Sequence, residues 1–190
     1  CLRKPTRKNS PYVATLLRSG FDSSFSDQGE SMLSLAINHY SPGDGKIVSE
    51  VSSMMSQQFR NNNSLINSGL LEKAVISGRS IFIKSIYAEC MKETKEKGLD
   101  DSVMQELLRD LFEHAVLNEE KHSMGALKEI DPNIVERYAT PLWQKAINEG
   151  NVNLIASLNI VGIKPEQKEQ EALDKIYESS DLFMEFLKKG

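Results

Sequence analysis

A chain of 190 residues with 39% hydrophobic and 26% charged residues suits one ordinary domain or a short repeat array, and it excludes a disordered polyelectrolyte. The formal net charge of −4 at pH 7 argues against a general polyanion binder. Two cysteines, Cys1 and Cys90, exclude a disulfide scaffold and fit a reducing compartment, and no apolar run reaches the roughly 20 residues of a membrane span.

The chain opens on Cys1 rather than Met, which reads as a piece trimmed from something longer. A mature lipoprotein is the alternative, without a signal peptide to support it. Residues 1–10 form a basic tail or linker holding Arg3, Lys4, Arg7 and Lys8, and with Arg18 the first 21 residues contain no acid. No aromatics interleave those cations and the remaining chain is acidic, so a solvated tail is expected rather than a nucleic-acid arm. From residue 11 onward apolar positions three and four apart recur over 32–37, 47–55, 70–76, 81–91, 103–117, 142–147, 152–161 and 173–187. This periodicity predicts short paired helices of about 8–12 residues. Turn formers break the runs at 41–45, 61–64, 131–133 and 162–165, and no strand alternation is sustained. The fold class is therefore all-α, over a domain spanning 11–190.

Paired short helices prompt a search for repeats. Leu16-Leu17-Arg18-Ser19-Gly20-Phe21-Asp22 is followed by Ser31-Met32-Leu33-Ser34-Leu35-Ala36-Ile37. Near the other end, Thr140-Pro141-Leu142-Trp143 precedes Ala146-Ile147 with one residue inserted, then Gly150-Asn151-Val152-Asn153 and Gly162. Weaker copies surround Leu70-Leu71-Glu72-Lys73-Ala74-Val75 and Leu111-Phe112-Glu113-His114-Ala115-Val116. This pattern resembles the ankyrin repeat, whose Leu-Leu-x-x-Gly-Ala-Asp segment leads through a hairpin loop into Thr-Pro-Leu-His-x-Ala. The resemblance implies a solenoid of about five stacked helix-turn-helix units with long hairpin loops and a shortened cap near 171–187. Another α-solenoid or an irregular bundle is the alternative. The first-helix alanines fall at Ala36, Ala74, Ala115 and Ala146, so two intervals exceed the ankyrin period of about 33. Residues 41–45, 57–68 and 92–102 are the expected hosts of the extra length. Glycines at 78 and 150 should stop first helices and those at 20 and 162 second helices, each in the left-handed conformation.

Residues able to carry chemistry are few. His39, His114 and His122 miss the i, i+4 spacing that would place two metal ligands on one helical face. Cys90 lies on an apolar helix and reads as a buried structural thiol. The segment Pro42-Gly43-Asp44-Gly45-Lys46 lacks the first glycine of a phosphate loop and has Ile47 where Ser or Thr is required. No pair of carboxylates is placed by spacing alone for acid–base work. No cofactor or metal is implied, and the chain reads as no enzyme. Trp143 is expected in the core, whereas Phe59 and Tyr138 fall in predicted loops and suit partner contacts.

The expected function is that of a non-catalytic protein–protein interaction module. The ankyrin resemblance implies binding through hairpin tips and the concave face of the first helices. Asp27, Gln28, Glu30, Phe59, Arg60, Asn62, Arg137 and Tyr138 are the tip candidates, and Asn38, Lys73, Gln144, Lys145 and Asn148 the helical ones. The segment around Arg60 is the preferred specificity element. An acidic array favours a protein partner with a basic or neutral surface, not nucleic acid. The divergent repeats and the Asn/Ser/Lys/Ile-rich composition look like ankyrin arrays of bacterial effectors. The alternative is thus a targeting or regulatory domain of a larger enzyme or effector whose catalytic segment lies elsewhere. Cytoplasmic localisation is expected, or secretion into a host cytosol for an effector.

Overall fold

The computed structural model describes residues 10–22, 31–39 and 46–179. Among these residues there are ten α-helices and no strand. They are α1 (Ser10–Arg18), α2 (Met32–His39), α3 (Lys46–Asn62), α4 (Leu70–Ile76) and α5 (Ser80–Glu96), followed by α6 (Asp101–Leu117), α7 (Lys121–Ile130), α8 (Ile134–Asn148), α9 (Val152–Ile160) and α10 (Gln167–Ser179). The all-α expectation holds. No helix among the described residues is long and apolar enough to cross a membrane. The chain divides into two compact units, Cys1–Pro132 and Asn133–Gly190.

In the first unit the helices form two layers. Helices α1, α3, α5 and α7 pack side by side in sequence, and α2, α4 and α6 do the same, while each of the latter also packs on the helix that follows it. The contact stripes explain the layering. Val48, Val51, Met55, Phe82, Ile83, Ile86 and Cys90 are buried between neighbours, and α2, α4 and α6 bury Leu33, Ala36, Ile37, Leu71, Ala74, Val75, Leu111 and Ala115. Small residues bring α3 and α5 together: Ser52 and Ser56 are fully buried, and the Ser52 hydroxyl is hydrogen-bonded to that of Ser85. In the second unit α8 packs on both α9 and α10, around Leu142, Trp143, Ala146, Leu154, Leu158 and Leu173. Trp143 is a core residue, as expected.

Three helix hairpins close identically, through three-residue connections at 77–79, 118–120 and 149–151. In the first, the Gly78 N–H donates to the Val75 carbonyl and the Arg79 N–H to that of Ala74. The pattern recurs at Glu119–Val116 with Glu120–Ala115, and at Gly150–Ile147 with Asn151–Ala146. This six-to-one pairing satisfies orphan carbonyls at the helix end and requires a left-handed residue. Gly78 (φ 67°) and Gly150 (φ 60°) supply it without strain, whereas the middle hairpin forces Glu119 to φ 55°. Gly20 and Gly162 also have positive φ.

Helix lengths depart from the sequence expectation. Helices α3, α5 and α6 each span 17 residues and α8 spans 15. The first half of the insertion expected at 57–68 is the end of α3, and residues 92–96 of that at 92–102 are the end of α5. The physical reason is that the buried stripes continue: Glu89, Cys90, Glu93 and Thr94 stay buried to the end of α5. Thr140-Pro141 does not open a helix either. It lies inside α8, because Ile134, Tyr138 and Leu142 continue one buried face at four-residue spacing and Pro141 stands on the exposed side. A proline there removes one backbone bond while the packed face carries the helix across it. The 41–45 turn and residues 180–187 of the expected cap lie outside the described residues.

Candidate interaction surface

Two clusters of charge in the first unit have different surroundings. The first joins the C-terminal half of α3 to that of α5. Arg60 donates from Nε to Glu89 Oε2 at 2.8 Å and from Nη1 to Glu96, with its side chain only 12% exposed and that of Glu89 only 7%. Lys92 Nζ closes on the other Glu89 oxygen at 2.6 Å. One turn further along α5, Glu93 (side chain 4% exposed) accepts from Lys97 Nζ at 2.5 Å, Ser64 Oγ at 2.6 Å and the Leu65 N–H at 2.8 Å. Burial opposes the Glu93 charge, but these hydrogen bonds outweigh it and hold the carboxyl below the usual carboxylate range. The contact with Glu96, opposed by burial and reinforced by Glu89, raises the Arg60 pKa further. Glu93 thereby fastens the chain between α3 and α4 to α5, and Arg60 locks α3 onto it. Cys90 lies in the same region, and burial, with Glu93 and Glu89 adding, pushes its thiol up to about 12.

The second cluster lies on the outward face of α2, α4 and α6. Lys73 Nζ donates to Ser34 Oγ at 2.6 Å, tying α4 to α2, and Arg79 Nε donates to the Ile37 carbonyl at 2.9 Å. His114 Nε2 lies 3.3 Å from Glu72 Oε1, linking α4 to α6 across partly exposed side chains. Asn38, His39, Glu72 and Ile76 are exposed here, as are Glu106, Asp110 and Leu117. The α6 sequence is acidic, with Asp101, Glu106, Asp110 and Glu113 against Arg109, whose guanidinium sits on Asp110 at 3.0 Å. The start of the helix is capped by Asp100, which accepts the Ser102 N–H at 2.7 Å. That backbone hydrogen bond holds the Asp100 carboxyl below its ordinary value.

The sequence-derived candidates divide accordingly. Asp27, Gln28 and Glu30 lie outside the described residues. Asn38 and Lys73 share the α2–α4 face, Asn38 exposed and Lys73 engaged with Ser34. Phe59, Arg60 and Asn62 are helical, not loop residues, because α3 extends through Asn62. Phe59 is half-buried, Arg60 is held in the ion-pair cluster, and Asn62 is exposed. Tyr138 is likewise helical and 8% exposed, with the Arg137 guanidinium 5.8 Å from its ring centroid. Gln144 donates to Glu169 at 3.3 Å within the second unit, and Lys145 and Asn148 are exposed on α8. Sequence reasoning missed Glu72, Ile76, His114 and Leu117. The available signal was the placement of Glu72 and Ile76 four residues apart, opposite the buried Leu71, Ala74 and Val75. Among the described residues no group of three or more His, Cys, Asp or Glu could hold a metal ion.

Comparison with protein-family models, curated proteins and solved structures finds no match.

Proposed function

We propose that the chain is a non-catalytic protein–protein interaction module of divergent ankyrin type, binding its partner through the outer face of the first helices of successive hairpins. One observation supports this reading most: α2, α4 and α6 lie side by side in the first unit and offer a continuous face. On that face Asn38, Glu72, Ile76, Glu106, Asp110 and Leu117 are exposed. Such a stack derives its rigidity from neighbour packing, so the outward side chains are free to vary with the partner. Recognition would then rest on a few anchors within a larger complementary surface.

The test begins with affinity capture by the 190-residue chain and continues with a purified candidate partner. Hydrogen exchange of the complex is expected to show protection in α2, α4 and α6, with a dissociation constant measurable by calorimetry. Protection confined to α3, α5 and α7, or no purified protein that binds, defeats the reading.

A further inference from the structure

The geometry points to a docking site for a basic protein segment bearing an apolar side chain, on the paired outward faces of α4 and α6. This inference rests on the interaction-module reading and names the partner chemistry of one face. Helices α4 and α6 are joined through α5 by two short connections, so they run in the same direction. Glu72 and His114, 3.3 Å apart, set their register. Ile76 follows Glu72 by four residues and Leu117 follows His114 by three, so both lie about one turn beyond that pair on the same side. Ile76 is 41% exposed and Leu117 38%, while their chain neighbours Val75 and Val116 are wholly buried. Two branched side chains are thus left in solvent on neighbouring helices, at the end of a face whose core side is already filled.

The charge around them is weighted to the acidic side, with Lys73 and Arg79 as the nearby cations of α4 and its connection, held by Ser34 and the Ile37 carbonyl. Counting back from Leu117 along α6, Glu113, Asp110 and Glu106 fall four, seven and eleven residues away, one helical stripe leading up to the apolar pair. Glu72 borders it from α4. Arg109 is the one cation of α6 and lies against Asp110. On the opposite layer exposed lysines outnumber exposed acids: Lys84, Lys92, Lys95, Lys121 and Lys128 stand on α5 and α7 against Glu96 and Glu129, with Lys84 paired to Glu129 and Lys92 to Glu89. This polarity steers a cationic ligand toward α4–α6 and away from α5–α7. The fitting ligand combines Lys or Arg with a leucine-like anchor in one segment.

The experiment is an amide NMR titration of the full chain with three synthetic peptides: an amphipathic Leu/Lys peptide, its Leu→Ser analogue and its Lys→Glu analogue. The Leu/Lys peptide is expected to shift amides of α4 and the C-terminal half of α6, and to bind at least tenfold more tightly than either analogue. Ile76→Ser with Leu117→Ser should cost tenfold or more in affinity, and raising salt from low to high concentration should weaken binding severalfold. The near-isosteric Glu106→Gln/Asp110→Asn/Glu113→Gln variant should weaken binding and flatten the salt dependence, with circular dichroism confirming its fold. Equal binding of the Leu→Ser analogue, shifts on another face, unchanged affinity in both variants, or absence of binding overturns the proposal. Self-association lost on Ile76→Ser/Leu117→Ser overturns it in favour of a second copy. A purified protein partner that protects α2, α4 and α6 yet is indifferent to these substitutions leaves the module reading standing and removes this one.

Discussion

The Arg60–Glu93 cluster and the α4–α6 face contain the same residue types and do opposite things. In the first, carboxylates with less than a tenth of their side chains exposed are met by Arg60, Lys92, Lys97, Ser64 and backbone N–H groups. In the second, Glu72, Glu106 and Asp110 are exposed on the same face as two half-exposed aliphatic side chains, and the pairs Glu72–His114 and Asp110–Arg109 lie in partly exposed surroundings. Desolvation separates them: a buried charge must be paired wherever it sits, so its partners are committed to the fold, whereas an exposed one keeps its capacity for a ligand.

Substitutions can break this contrast, and the largest effect belongs to the buried side. Arg60→Ala strands Glu89 without its main partner and should cost about 3 kcal/mol of unfolding free energy, read by urea denaturation. Peptide binding at α4–α6 should be unchanged in the same variant; a loss there would join the two regions functionally. Glu93→Gln comes next, at about 2 kcal/mol, because charge-assisted bonds to Lys97 and to the 64–66 backbone weaken together. Its pH dependence has a definite sign. The folded carboxyl titrates below its unfolded value, so its contribution is full above the usual carboxylate range and is lost as pH falls through the lowered folded value. Urea midpoints compared at neutral and acid pH should therefore fall less in Glu93→Gln than in the parent chain.

Glu119→Gly sharpens the comparison from the other direction, since it changes the hairpin beneath the acidic face without altering its side chains. Relief of the left-handed backbone should raise stability by about 1 kcal/mol, visible as a higher thermal midpoint. The smallest effect is expected on the face itself. Glu72→Gln removes an exposed pair with His114 and should change stability by less than about 0.5 kcal/mol. A larger loss would make Glu72 part of the scaffold rather than of the binding surface.

Much of the fold could be read from particular residues. The paired helices, the left-handed glycines at 78 and 150 and the buried Trp143 follow from apolar spacing and from the special backbone that only glycine adopts cheaply. The helix ends were less legible. Asn61-Asn62-Asn63 reads as a loop, yet α3 runs through Asn62, because Arg60 is held on α5 by residues 29 and 36 positions away. Thr140-Pro141 reads as a helix start, yet packing of Ile134 and Tyr138 begins α8 earlier. Local propensity is worth tenths of a kcal/mol to about 1 kcal/mol per residue, and a buried stripe or ion pair exceeds it.

The candidate surface divides in the same way. Its acidic character and the exclusion of a membrane-spanning helix come from composition and run length, which sequence states directly. That Arg60 belongs to the scaffold, and that Ile76 and Leu117 stay exposed on neighbouring helices, was decided by tertiary structure alone. Periodicity specifies which face of a helix is apolar, but only the neighbour packed against it determines whether a given side chain is buried, paired or left in water.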